Sequence, residues 1–161
     1  MNSFVNSAFS SEDVEYMKEA LKEAEIAYAL HEVPVGAILV RDGEIIARAH
    51  NTRETAFSAI AHAEVTAISS ACEKLRGWRL EDCTLYVTLE PCPMCAGAII
   101  NARIPRVVFG ASDASMGAIS SVMRITRYPL PFTPSVCGGL LENECGAILT
   151  RFFREKREKS E

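Results

Sequence analysis

Cys83-Thr84-Leu85-Tyr86-Val87-Thr88-Leu89 runs through Glu90 directly into Pro91-Cys92-Pro93-Met94-Cys95-Ala96-Gly97-Ala98-Ile99-Ile100-Asn101-Ala102. The first segment predicts a β-strand, because Thr, Tyr and Val suit a pleated, half-buried surface. The second predicts a helix over 91–102, with proline in the first turn, where its missing N–H costs no hydrogen bond. Upstream, Ala61 to Arg76 repeats apolar residues at Val65, Ile68, Cys72 and Leu75 and meets Gly77, so a helix beginning near His62 is expected to end there. Downstream, Arg106-Val107-Val108-Phe109-Gly110 predicts a further short strand.

Ser10 with Asp13 three residues on is a capping-box pattern, and Val14, Met17, Leu21, Ala24 and Ala27/Tyr28 follow at helical spacing to about Leu30. Gly36 to Val40 and Glu44 to His50 flank Arg41-Asp42-Gly43, where Asp-Gly signals a β-hairpin. Asn51 to about Ser58 is expected to be a loop. Residues 111–132 have weak periodicity and predict a long surface loop holding a short helix at 118–124. A weak strand at 135–137 and a last helix at about 141–159 complete the order α-β-β-α-β-α-β-(β)-α-α. Strands alternating with helices imply parallel neighbours and the hairpin is antiparallel, so a mixed sheet between helical layers is expected.

The chain has 161 residues, 48% hydrophobic and 24% charged, which suits one domain over 1–161 and excludes collagen-like, mucin-like and largely disordered chains. Its longest apolar runs, 35–40 and 96–100, are far shorter than the ~20 residues that cross a bilayer. Residues 1–10 carry no basic and apolar leader pattern, so a cytoplasmic location is expected. There the six cysteines stay reduced, for metals, catalysis or packing. The formal charge of −4 is unevenly distributed. Residues 1–35 hold seven acids against two lysines, a net of −5, whereas 103–127 net +3 and the basic C-terminal helical stretch 151–161 nets +2. Such charges can simply keep surface segments solvated, or they can select a partner.

Cys92-Pro93-Met94-Cys95 opens a helix, where backbone N–H groups and the positive helix end favour thiolate. Alone it fits a dithiol redox pair, half of a four-ligand structural zinc site, or chance. His62-Ala63-Glu64 at the preceding helix start separates these, since both helix starts can converge at one end of the sheet. His62, Cys92 and Cys95 then make three zinc ligands, which leaves the fourth tetrahedral position open, as in catalytic rather than structural sites. Glu64 is placed to act as the base. The plainer readings are that His62 bonds backbone at a helix start, that Glu64 offsets the helix dipole, and that Cys72, Cys83, Cys137 and Cys145 are core or inert thiols.

His-x-Glu followed by Pro-Cys-x-x-Cys resembles the signature of the zinc nucleobase deaminases. Glu32-Val33-Pro34-Val35-Gly36-Ala37, Thr84 to Cys92, Cys95-Ala96-Gly97-Ala98-Ile99, Arg103-Ile104, Arg106 to Gly110 and Phe152-Phe153-Arg154 are similar to the bacterial tRNA adenosine deaminases along nearly the whole chain. That resemblance implies a three-layer α/β/α cytidine-deaminase-like fold with a mixed five-stranded sheet, usually a homodimer, converting adenosine to inosine at the wobble position of an arginine tRNA. It implies one zinc ion per chain on His62, Cys92 and Cys95, with Glu64 as proton shuttle. It also implies substrate contacts from Asn51 and Ala63 to the base, Asp113 near the ribose, and Phe152 and Phe153 on a basic helix that holds the anticodon loop. Otherwise Asn51 is a turn residue, and the two phenylalanines pack the last helix. Adjacent helical residues point about 100° apart, so one should pack and the other, Phe153, stay free.

Ile60 stands where threonine is usual, Ser115 replaces a common lysine, and Pro131 and Pro134 interrupt the usual last strand, which affects loop contacts rather than the metal chemistry. Two alternatives remain: a guanine or other small nucleobase deaminase, which would share the motif but gain nothing from a basic aromatic helix, and a non-catalytic zinc-stabilised RNA-binding module.

Overall fold

The structure is a computed structural model that describes residues 9–160. Residues 1–8 of the stretch scanned for a leader, and Glu161 of the basic tail, lie outside the described residues. Helix α1 (Ser11–Ala29) starts at the predicted capping box: Ser10 Oγ accepts from the Asp13 N–H and Asp13 Oδ2 accepts from the Ser10 N–H, both at 3.0 Å. Strands β1 (Gly36–Arg41) and β2 (Glu44–His50) form the hairpin, with Asp42 and Gly43 both at positive φ (51° and 77°), as a tight two-residue turn requires. Its register slips between Leu39 and Val40, which pair with Ala47 and Ile45, so Ile46 bulges.

Helix α2 (Ala63–Leu75), strand β3 (Cys83–Leu89), helix α3 (Pro93–Asn101), strand β4 (Arg106–Ala111), strand β5 (Ser135–Gly138) and helix α4 (Glu142–Glu158) follow. The sheet order is β2-β1-β3-β4-β5. β1 is antiparallel to β2 and β3, while β3, β4 and β5 are mutually parallel. Alternating side chains give each face its own layer. Leu39, Leu85, Val87 and Val107 meet Ala67, Ala71 and Ile99 of α2 and α3 on one face. Ile38, Tyr86 and Val108 meet Met17, Ala20 and Cys145 of α1 and α4 on the other. The expected α/β/α architecture with a mixed five-stranded sheet is therefore present.

Close approach explains some sequence choices. A Cβ on Gly36 would strike the backbone of Ala20 and Ala24, so glycine lets α1 lie directly on β1. The acidic residues of α1 meet cations from three other elements. Asp13 pairs with Arg106 at 2.8 Å, Glu19 with Arg48 at 2.7 Å and Glu25 with Arg151 at 3.4 Å. Glu23 accepts from or faces His50 Nδ1 at 2.8 Å. The negative end of the sequence is thus largely neutralised by the fold, and Arg151, counted among the basic tail residues, belongs to this packing: its guanidinium also lies 4.1 Å from the Tyr28 ring centroid.

α2 ends where Gly77 predicts: Arg76 takes the left-handed turn (φ 52°), and the Gly77 N–H closes the motif on Cys72 O at 3.1 Å. Two expectations need correction. No helix forms at 118–124. Instead there are turns, then a 3₁₀ turn at Ile125–Arg127, because the amides of Ile119, Ser120 and Ser121 are taken by the Glu90 carboxylate. Among the described residues one helix therefore follows β5, and the short helical element precedes that strand. Pro134 stands immediately before β5, which still pairs in parallel with β4 over four residues. No helix among the described residues is long and apolar enough to cross a membrane.

Candidate active site

The starts of α2 and α3 meet at the end of β3. His62 is the N-cap of α2, Cys92 the N-cap of α3, and Cys95 lies in the first turn of α3. The His62 side chain makes no cap bond to α2, so the plainer reading of His62 as a backbone cap does not hold. His62 Nδ1 instead faces Cys92 Sγ at 3.6 Å and Cys95 Sγ at 3.5 Å. This group of one nitrogen and two sulfur donors could hold a metal ion, and among the described residues no other His, Cys, Asp or Glu joins it.

Electrostatics at the group follow from burial and the close sulfur pair. A hydrogen bond from Cys95 holds the Cys92 thiol down at about 4, against the opposing effect of burial and with help from His62. Cys95 is correspondingly pushed far up, and the hydrogen bond to Cys92 raises His62. Glu64, 4% exposed, is raised above the usual carboxylate range, chiefly by burial. Burial favours the protonated form of this carboxyl more than water would.

A cavity of about 220 Å³ opens onto His62, Glu64 and Cys92. Val33, Val35, Leu89 and Met116 give it apolar walls, and Asn51, Arg53 and Asp113 bring polar groups. Asn51, Ala63 and Asp113, three of the five expected substrate contacts, all line it. Asn51 is held by its loop: Nδ2 donates to Val33 O at 3.4 Å and Oδ1 accepts from the Arg53 N–H at 3.1 Å. Asp113 Oδ1 accepts from the Ser115 N–H (2.9 Å) and hydroxyl (2.8 Å) and from the Met116 N–H (3.2 Å), so the serine that departs from the usual lysine fixes the acid's turn.

The other two expected contacts lie elsewhere. Phe152 and Phe153 sit on α4, away from the cavity. Phe152 is buried, with its ring edge-on to Tyr28 at 6.0 Å, while Phe153 is 41% exposed, so the pair divides as the helical geometry requires. Ile60 is exposed in the loop before α2.

Two buried acids went unassigned by the sequence reading. Glu32, 1% exposed, accepts from the Glu54 N–H and from the Thr55 N–H and hydroxyl, pinning the loop that carries Asn51 and Arg53. Glu90, equally buried, holds residues 113–121. Burial alone would raise both carboxyls, but the hydroxyl and amide donors prevail and leave each below its ordinary value. Their only signal in the sequence is a charged residue set against apolar neighbours and proline, as in Leu89-Glu90-Pro91 and Glu32-Val33-Pro34.

Residues 11–157 match the family described as MafB19-like deaminase. A tRNA-specific adenosine deaminase of Bacillus subtilis (strain 168) is 53% identical over 150 residues, covering 92% of this chain and 93% of its own. The chain belongs to the tRNA-specific adenosine deaminases. Among solved structures, one from work on A-to-I editing by tRNA:A34 deaminases at the wobble position of tRNA superposes with a TM-score of 0.82 at 46% identity, covering 84% of this chain and 99% of that one. Guanine deaminase from Bacillus subtilis is less similar, with a TM-score of 0.60 at 33% identity over 76% of this chain and 88% of its own. Against this guanine deaminase, the tRNA deaminase likeness is the stronger in sequence, shape and coverage.

Proposed function

We propose that this chain hydrolyses adenosine to inosine at the wobble position of a tRNA, an arginine tRNA by the resemblance, using one zinc ion per chain held by His62, Cys92 and Cys95. The observation that carries this is the donor spacing. Bonds of about 2.05 Å to nitrogen and 2.3 Å to sulfur at a tetrahedral angle put the two donors about 3.6 Å apart; His62 Nδ1 lies 3.6 and 3.5 Å from the two sulfurs. Three ligands suit a catalytic ion, which argues against a purely structural zinc module. When bound, the ion supplies the Lewis acidity that makes water a nucleophile near neutral pH.

The protein's own groups do the rest. Glu64 takes the water proton and delivers it to the ring nitrogen beside the amino-bearing carbon. It then carries the second proton to the amino group, which leaves as ammonia, so that one water enters and one ammonia departs. Burial raises the Glu64 carboxyl above its ordinary value, which favours its holding the proton between the two steps. Asn51 presents its amide to the base edge, Ala63 lies beside it, and Asp113 faces the ribose. The apolar walls receive the base faces, which requires the nucleotide to be splayed from its loop.

Exposed Phe153, Arg154 and Arg157 on α4 fall within about 100° of helix arc and supply a stacking and phosphate-binding face. The same reading carries three further proposals: one deaminase domain over 1–161, a homodimer, and action in the cytoplasm, the compartment expected for its tRNA substrate. Light scattering at twice the 17.6 kDa chain mass tests the dimer. To test the function, purified protein is incubated with an adenosine-bearing anticodon stem-loop and, separately, with free guanine. Inosine in the RNA supports the reading; xanthine alone supports the guanine deaminase alternative.

A further inference from the structure

Glu90 lies at the exit of β3, two residues before Cys92, lines the same cavity, and its carboxylate is engaged by residues 113–121. Its Oε2 accepts from the N–H groups of Ile119 (3.2 Å), Ser120 (3.1 Å) and Ser121 (3.1 Å). Its Oε1 accepts from the Asp113 N–H (3.4 Å) and from the hydroxyls of Ser120 (3.3 Å) and Ser121 (2.5 Å). The backbone follows the same path: the Glu90 N–H donates to Ala111 O, and the Ala118 N–H donates to Pro91 O. A Cβ on Gly117 would collide with the Glu90 carboxylate and with Asp113 O, so glycine is needed for the segment to close over the acid. An ionised carboxylate accepts and cannot donate, which suits a site made wholly of donors.

We propose that Glu90 is a positioning residue that sets the far wall of the substrate cavity, holding Asp113 and Met116 in place through this clamp. The inference rests on the reading of the cavity as an adenosine site. Glu90 does not touch the reacting atoms; it ties the segment that contacts ribose and base to the strand that delivers the metal ligands. Charge-assisted hydrogen bonds to backbone amides are the stronger class, and losing one donor match is worth about a ten-fold change in an equilibrium.

The test uses Glu90→Gln and the Ser120→Ala/Ser121→Ala double variant, with Glu90→Gln putting an NH2 among donors. Zinc content, kcat and KM on the stem-loop, and amide hydrogen exchange are measured on the full chain. Expected for Glu90→Gln are one zinc per chain, kcat within about three-fold of wild type, KM raised about ten-fold, and exchange accelerated at 113–121 but not in the sheet. The serine variant should show the same local exchange change with a smaller rise in KM. Unchanged KM and unchanged local exchange in zinc-loaded Glu90→Gln would overturn the proposal, as would faster exchange spread evenly over the sheet, the mark of general destabilisation. If wild type makes no inosine, the adenosine reading fails by itself, and the exchange pattern still decides whether the clamp exists.

Discussion

Replacing Arg154 and Arg157 together by Gln should halve the salt dependence of RNA binding, and replacing Arg151 by Gln should leave it intact. α4 ends with five cations, Arg151, Arg154, Lys156, Arg157 and Lys159, all exposed. Arg151 is already committed, 3.4 Å from Glu25 and stacked on Tyr28. Four remain to meet phosphate, Arg154 and Arg157 on the face with Phe153, and Lys156 and Lys159 around the same helix end. At about 0.7 logarithmic units per neutralised phosphate of single-stranded RNA, four contacts give a slope of about −2.8 in log K against log salt. Between 50 and 200 mM salt, affinity then falls about 50-fold for wild type and about 7-fold for the double variant, whose slope is about −1.4. Fluorescence anisotropy with a labelled stem-loop carrying the product inosine, which is not turned over, measures the slope directly. A slope unaltered by the double substitution, or lowered as much by Arg151→Gln, would refute the assignment of this helix face to RNA.

Asp13→Asn should destabilise the fold by about 2–3 kcal/mol at pH 7, since Asp13 is buried in its pair with Arg106 while the arginine keeps some solvent to offset the loss. A midpoint lower by about 5–10 °C in thermal unfolding checks it. Arg106 holds Asp13 far below the usual carboxylate range, so its contribution is complete above the unfolded value near 4 and is lost as pH falls further. The gap between wild type and variant should therefore close in acid. Phe152→Ala should cost about 3 kcal/mol of stability through the cavity it leaves, whereas Phe153→Ala should leave stability nearly intact and weaken stem-loop binding by about 5- to 100-fold, the range for one base stacked on an aromatic ring. Calorimetry and binding on the two variants separate these effects. Dialysis against a chelator should abolish deamination, and one equivalent of zinc per chain should restore it, as read by metal analysis and inosine formation.

Local chemistry announces some elements and not others. Asp42-Gly43 specifies its turn because only residues tolerant of positive φ fit there, and Ser10 with Asp13 specifies a helix start. His62, Glu64, Cys92 and Cys95 are legible as a site because their types and spacing have few other uses, and the two helix starts that carry them do converge. The 118–124 stretch was not legible, since its shape is dictated by Glu90 from some thirty residues upstream, through backbone amides that any sequence possesses. Glu32 and Glu90 were missed for the same reason: what makes an acid structural is the set of donors that close around it in three dimensions. Likewise Arg151 looks identical to Arg154 in sequence, and only the approach of α1 to α4 tells them apart.

The central claim is that Glu64 moves the protons of an adenosine hydrolysis beside a metal held by His62, Cys92 and Cys95. Wild type and Glu64→Ala, each verified to carry one zinc per chain, are incubated with the adenosine stem-loop, and inosine is quantified by mass spectrometry. Wild type should convert the RNA, while the variant should retain its zinc and lose about 10²- to 10⁴-fold in rate. Inosine formed at a near wild-type rate by the zinc-loaded variant would contradict it.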